Sequence, residues 1–115
     1  MEEKMKKIVR LIFSVTLVFI AANAVAQENT NAVKLANQFG CTSCHNAEVK
    51  LVGPAFKSVA EKYAGQADAV DTLIKKVTNG GSGNWGRIPM PAHPQVGADN
   101  IKTLVEWVLR GAPNT

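Results

Sequence analysis

The stretch Cys41-Thr42-Ser43-Cys44-His45 decides how the rest of this 115-residue chain is interpreted. Its two cysteines are three positions apart, and a histidine directly follows the second. If the stretch forms a turn of helix, Cys41, Cys44 and His45 lie at positions i, i+3 and i+4 and share one face. Two thiols and an imidazole would then point toward the same object. We therefore expect the three side chains to act together at one site.

Several kinds of site contain two cysteines and a histidine. Zinc needs four protein ligands, or three and a water, and the other strong candidate, His93, is far away in the sequence. A redox-active dithiol is expected within a strand–helix–strand frame, for which the chain shows no strand pattern. A structural disulfide would leave His45 without a role. The spacing C-x-x-C-H is an attachment signature of c-type haem, which uses both thiols and the imidazole, so covalent haem is the favoured interpretation.

The first 26 residues have the pattern of a secretory leader. Four basic residues in the first ten positions precede an apolar run, Leu11–Ala22, and the small-x-small sequence Ala24-Val25-Ala26 follows it. These are the three parts of a cleavable signal peptide, and the run is shorter than the roughly 20 residues that a membrane span needs. We expect residues 1–26 to be removed and residues 27–115 to work outside the cytoplasm, in the periplasm, without a membrane span. The alternative is that the segment is retained as an uncleaved anchor.

The expected mature chain is one small domain with little net charge. Four of the 13 Lys and Arg residues and two of the 9 Asp and Glu residues lie in the leader, which leaves 9 against 7. No basic tract remains, and nucleic acid is therefore not an expected partner. A domain of this size has a small core, which an internal cofactor would help to stabilise.

Hydrophobic periodicity predicts an all-α fold with four short helices. Apolar residues recur at i, i+3, i+4 and i+7, and glycines follow the helical segments. Asp99 has the position of an N-cap for the last helix. Two segments, 46–54 and 80–97, lack the helical pattern, and the second is interpreted as a rigid loop stiffened by prolines. The four predicted helices cover residues 31–39, 55–64, 68–79 and 99–110.

Met90 is the candidate for a second iron ligand. Pro89 and Pro91 flank it and favour an extended backbone there, which would hold a thioether in a fixed place. The alternative is that Met90 fills a gap in the core, a common use of methionine. His93, three residues later, is a conceivable substitute for Met90 as the ligand.

With these residues in view, the sequence resembles the short bacterial class I cytochromes c, which are single-haem periplasmic electron carriers. Four motifs carry the resemblance, and together they span nearly the whole expected mature chain. The resemblance implies four helices wrapped around one covalently attached haem c. The motifs are CTSCH, VGPAF at 52–56, NWGRIPMP at 84–91 and LVEWVLR at 104–110.

The resemblance also implies the roles of the residues that bind the haem. Cys41 and Cys44 would form the thioethers, and His45 and Met90 would be the two axial ligands of the iron. The carbonyl oxygen of Pro54 would accept a hydrogen bond from the second nitrogen of the His45 ring, which orients the ring and raises its basicity.

Two tryptophans match positions in the family. The indole N–H of Trp85 would donate to a haem propionate, although a plain core aromatic is an equal alternative. Trp107 would be structural, in the last helix beside the first. An apolar shell would exclude water from the haem, and we expect it to comprise Phe56, Val59, Leu73, Ile74, Ile88 and Leu104.

Six-coordinate iron leaves no position for a substrate, so the implied function is electron transfer and not catalysis. A thioether ligand raises the haem potential. The implied partners are redox proteins that dock transiently at the exposed haem edge, and the carrier is expected to be a monomer. The competing hypothesis is a haem enzyme, or a sensor of gas or peroxide, with an open distal site and Met90 in the core.

Overall fold

The computed structural model describes the backbone of residues 1–115 and the side chains of all of them except residues 15–19. Four α-helices and one two-stranded antiparallel sheet make up the fold, together with short 3-10 turns at Cys41–Ser43 and Pro94–Val96. The predicted helical fold class is confirmed, and the small sheet is an addition to it. The elements are α1 (Glu2–Gln38), α2 (Phe56–Tyr63), α3 (Ala69–Asn79), β1 (Gly81–Gly83), β2 (Gly86–Met90) and α4 (Ala98–Leu109).

Helix α1 is much longer than the sequence pattern predicted. The short helix expected from residue 31 continues back to Glu2, giving 37 residues. The physical reason is that no glycine or proline precedes Gly40, so nothing in the leader interrupts the helical hydrogen bonds. The helix ends where Gly40 takes a left-handed φ of 73°. Within the described part of the chain, no helix combines the length and apolar character needed to cross a membrane.

The core is centred on α4, which packs against α1, α2 and α3. Trp107 of α4 is fully buried, and its ring meets the edge of Phe56 with 5.3 Å between centroids. Ala32 and Ala36 on α1 are also fully buried, and their small side chains let the α1 backbone lie close to its neighbours. The other buried apolar residues of this cluster are Leu35, Val59, Tyr63, Ala69, Leu73, Val96, Ile101, Leu104, Val105 and Ala112.

Two local predictions were wrong. Helix α4 begins at Ala98 with Gly97 as its N-cap, and Asp99 lies inside the first turn, where its carboxylate is favourable to the helix dipole. The segment 80–97, predicted to be a loop, contains the β1–β2 hairpin and a 3-10 turn. This hairpin escaped the sequence pattern because β1 is Gly-Ser-Gly and has no apolar alternation.

Candidate haem site

The motif Cys41–His45 forms a tight turn directly after α1. A 3-10 turn covers Cys41–Ser43, and the backbone N–H of His45 donates to the carbonyl oxygen of Cys41 at 2.9 Å. The side chains of Cys41, Cys44 and His45 all line one cavity. The structure therefore brings together the three residues that the sequence placed on one face of a turn.

His45 is held in one orientation by three contacts. Its Nδ1 is 2.7 Å from the carbonyl oxygen of Pro54; because a carbonyl can only accept, Nδ1 is the donor. The ring of the neutral histidine then has an unprotonated Nε2, the form that binds a metal. The ring also stacks on Phe56, with 5.2 Å between centroids and 16° between planes. Gly53 packs against the ring, and its backbone N–H donates to Cys44 at 2.8 Å.

Gly53 is a site residue that the sequence analysis did not single out as such. A Cβ atom at this position would lie 2.8 Å from Nδ1 and 2.9 Å from Nε2 of His45, closer than van der Waals contact allows. Its φ is outside the left-handed region, so the requirement for glycine is one of space. The sequence feature that could have identified Gly53 is its place in the motif VGPAF, immediately before Pro54.

The substitution Gly53→Ala is expected to displace the His45 ring. Such overpacking costs about 1–3 kcal/mol of unfolding free energy, and a displaced ring is expected to have a longer bond to Pro54, which is 2.7 Å in the unsubstituted protein. Denaturant unfolding and the absorption spectrum of the haem-loaded protein measure the two effects. Gly111→Ala is the matched control, because among the described atoms none lies within 4 Å of a Cβ there. That control should lose about 1–2 kcal/mol from its positive φ with no spectral change; identical spectra for both variants would contradict the role of Gly53.

Met90 is placed by the hairpin and by the end of α3. It is the last residue of β2, partly buried, and it pairs with Gly81 of β1. Gly80 has a φ of 68°, and a Cβ on it would clash with the backbone of residues 90–92. The backbone N–H of His93 donates to the carbonyl oxygen of Val77 at 2.9 Å. The extended backbone predicted from the prolines is present, and the close approach at Gly80 adds a second constraint.

Met90 and His45 line the same cavity, which has a volume of about 310 Å³. This lies within the range of about 300–1,000 Å³ that is usual for small-molecule and cofactor sites. Five of the six residues expected in the apolar shell line it; Ile74 does not, and packs against the core instead. Ile88 lines the cavity but is 68% exposed. The apolar residues lining the cavity also include Val52, Val77, Val96, Val105 and Val108.

The charges around this cavity have one sign. The lining includes Lys50, Lys76 and Arg87, and none of the described residues that line it is Asp or Glu. An apolar cavity with a thioether, an imidazole, two thiols and cations at its wall fits haem, which has a flat apolar ring and two carboxylates. The residues present therefore suit the group that the motif predicts.

Trp85 and His93 also line the cavity. Trp85 is 38% exposed; its role as a donor to a haem propionate stays a prediction, as does the alternative of a plain core aromatic. His93 is partly buried, with Nδ1 3.4 Å from Nε2 of Gln95. Met90 and His93 therefore reach the same cavity.

The alternatives to haem receive no support from the geometry. Both cysteines are free, and burial raises the pKa of the Cys41 thiol, against a smaller lowering by a backbone hydrogen bond. Reactive C-x-x-C thiols have a lowered pKa, so the pKa shift of the Cys41 thiol is opposite in direction to the shift expected for a redox dithiol. Among the side chains that the structure describes, no three His, Cys, Asp or Glu residues form a group able to hold a metal.

Comparison with known proteins identifies the family. The family model described as "Cytochrome c" matches residues 30–111. Cytochrome c-551 of Allochromatium vinosum is 48% identical over 94 residues, which cover 82% of this chain and 95% of that protein. Cytochrome c-551 of Azotobacter vinelandii is 61% identical over 70 residues, covering 61% and 84%. The crystal structure of Nitrosomonas europaea cytochrome c552 superposes with a TM-score of 0.67 at 43% identity, covering 69% and 98%.

These similarities confirm the resemblance and the cofactor. Proteins of this family bind haem c covalently through cysteines, and Cys41 and Cys44 have the required spacing. The matched relatives are electron-carrier cytochromes, and electron transfer is thus the function that the similarity supports. The chain belongs to the cytochrome c family, with the fold and cofactor of its small class I members that carry a single haem.

Proposed function

We propose that this protein is a periplasmic carrier of single electrons whose haem iron is bound by His45 and Met90. The observation that carries the proposal is that these two side chains line one apolar cavity, with Nδ1 of His45 bonded to Pro54 and Met90 fixed at the end of β2. When bound, the haem supplies an iron that changes between the ferrous and ferric states.

Each residue of the chain has a distinct task in this proposal. Cys41 and Cys44 anchor the haem covalently. Pro54 holds the His45 ring by its hydrogen bond and keeps Nε2 available. Met90 would hold the iron with a soft sulfur donor, which would favour ferrous iron and raise the potential. With both His45 and Met90 bound to the iron, no coordination site would be left for a substrate.

The exclusion of water from the cavity supports the same function. The side chains of Phe56, Val59, Leu73 and Leu104 are buried and line the cavity. A dry, rigid cavity limits the rearrangement that accompanies a change in iron charge.

The proposed partners are redox proteins that would dock transiently, and the carrier would be a monomer.

Export is part of the proposal. All the described side chains before Asn29 are exposed, and Asn29 is the first that is buried, with its Oδ1 accepting a hydrogen bond from Nη2 of Arg110 at 3.1 Å. Removal of residues 1–26 would therefore leave in place every residue that the structure describes as buried. The proposed working domain is residues 27–115, after cleavage of the signal peptide.

An absorption spectrum of the oxidised protein tests the ligation. Histidine and methionine ligation predicts a low-spin, six-coordinate spectrum with the weak long-wavelength band of sulfur-bound ferric iron. A high-spin spectrum that changes on addition of peroxide or carbon monoxide would favour an enzyme or a sensor with an open distal site. A low-spin spectrum without the sulfur band would point to His93 as the ligand.

The mass of the exported protein tests the anchors and the cleavage. We expect the mass of residues 27–115 plus one haem, and colour that stays with the protein during acid–acetone extraction. The variants Cys41→Ala and Cys44→Ala should each give a much lower yield of haem protein, because each removes one of two covalent anchors. Ser43→Ala, within the same turn, is the control and should mature normally. Haem that is fully extractable from the unsubstituted protein would contradict covalent attachment.

A further inference from the structure

The two-residue turn that carries Trp85 has a backbone that does not suit a hairpin by itself. Gly83 pairs with Gly86, so Asn84 and Trp85 form the connection between β1 and β2. Two-residue hairpins favour turns with positive φ, because their twist matches that of the strands. Among the residues whose backbone the structure describes, the non-glycine positive φ angles are at Ala112 and Asn114. The turn at Asn84-Trp85 therefore benefits from support by another part of the fold.

The end of α2 provides that support through two consecutive residues. The Nζ of Lys62 donates to the carbonyl oxygen of Asn84 at 2.8 Å and lies 4.4 Å from the centre of the Trp85 ring. The side-chain amide of Asn84 donates to the hydroxyl of Tyr63 at 3.4 Å. Lys62 thus contacts both residues of the turn, one by a hydrogen bond and the other by a cation–π contact.

We propose that Lys62 is a positioning residue for the haem site, acting through Trp85. By holding the turn from α2, it fixes the direction of the Trp85 indole at the partly exposed rim of the cavity. The proposal rests on the haem-based function proposed above and on the role that the resemblance to class I cytochromes c implies for Trp85, whose indole N–H would donate to a haem carboxylate. Such a bond offsets negative charge near the iron. Its loss would favour the ferric state, and the midpoint potential would fall.

Nuclear magnetic resonance of the reduced haem protein tests the positioning directly. Lys62→Met keeps most of the aliphatic stem and removes the cation and the donor; it should shift the indole N–H resonance of Trp85. The resonance of Trp107 should stay in place, because that indole donates to the carbonyl oxygen of Pro113 at 3.0 Å. Lys62→Arg, which keeps a cation and a donor, should largely restore the Trp85 resonance. An unmoved Trp85 resonance in Lys62→Met would overturn the proposal.

A double-mutant cycle separates positioning from the plain loss of a charge. Lys62→Met should lower the midpoint potential of the unsubstituted protein, and should have a clearly smaller effect in the Trp85→Phe background, where no indole N–H remains. An equal fall in both backgrounds would mean that Lys62 acts only by its charge, and would overturn the proposal. Lys57→Met is the matched control on the same helix, since Lys57 pairs with Glu48 at 3.3 Å and does not line the cavity.

The failure of this proposal can be told from the failure of the proposed function. If Lys62→Met moves the Trp85 resonance while Trp85→Phe leaves the potential unchanged, the positioning is supported and the assignment of Trp85 as a donor to the carboxylate is wrong. If Trp85→Phe lowers the potential and Lys62→Met changes neither the resonance nor the potential, the donor assignment is supported and the positioning by Lys62 is wrong.

Discussion

Replacing Met90 with alanine is expected to open the sixth coordination position of the iron without unfolding the chain. The hairpin that holds residue 90 is maintained by backbone pairing with Gly81, and by the bond from His93 to Val77, neither of which needs the methionine side chain. The oxidised spectrum should become that of iron bound by water or by His93. A ligand that binds ferrous iron tenfold better than ferric iron is worth about 59 mV for one electron, so we expect the potential to fall by at least about that amount.

Two further variants sharpen this experiment. Met90→His should also lower the potential but should keep six-coordination, because a second imidazole does not favour ferrous iron as a thioether does. Met90→Ala combined with His93→Asn should give the water-bound spectrum alone. An unchanged spectrum and potential in Met90→Ala would show that Met90 is a core residue and that the ligand is another group.

Replacing Trp107 with alanine should be among the most destabilising single changes in the protein. Its side chain is fully buried and contacts Phe56, which in turn stacks on His45. Removing a buried tryptophan costs about 3–5 kcal/mol through lost burial and the cavity left behind, a large part of the 5–15 kcal/mol that usually stabilises a domain. Denaturant unfolding of the haem protein, followed by far-ultraviolet circular dichroism, measures this loss.

The other tryptophan is the control for that experiment. Trp85 is 38% exposed, so Trp85→Ala should cost much less unfolding free energy than Trp107→Ala. Trp107→Phe keeps an aromatic ring in the core and loses the hydrogen bond to Pro113, worth about 1 kcal/mol, and should fall between them. Equal losses at Trp85 and Trp107 would contradict the central position of Trp107.

Local sequence patterns correctly predicted the last three helices of the domain and the local backbone at the candidate site. The positions of α2, α3 and α4 were predicted within one residue at each end, because each helix presents apolar residues with the helical period to the core. The turn at Cys41–His45 and the extended backbone at Met90 were also predicted, since both depend on residues within a few positions along the chain. Their side chains meet at one cavity, as the resemblance to class I cytochromes c implied.

Local sequence patterns did not predict the features that depend on residues far apart in the sequence. The hairpin at 81–90 lacks a strand pattern because the glycines of β1 carry no side chains to alternate. It is held instead by Lys62 and Tyr63 on α2. The exposure of Trp85 follows from the same arrangement, and the absence of Ile74 from the cavity wall depends on how α3 is rotated against α4.

The sequence by itself determined the class of the fold and the covalent cofactor, and it predicted the residues that would bind it, because thiol spacing, helical period and proline restrict the chain locally. Only the tertiary structure decided that Gly53 must lack a side chain beneath the His45 ring, that Gly80 must admit the backbone of residues 90–92, and that Lys62 lies over Trp85. These contacts join segments between 8 and 23 residues apart. Which side chains fit at these contacts is set by the space left between packed elements, and no local pattern of residues encodes that space.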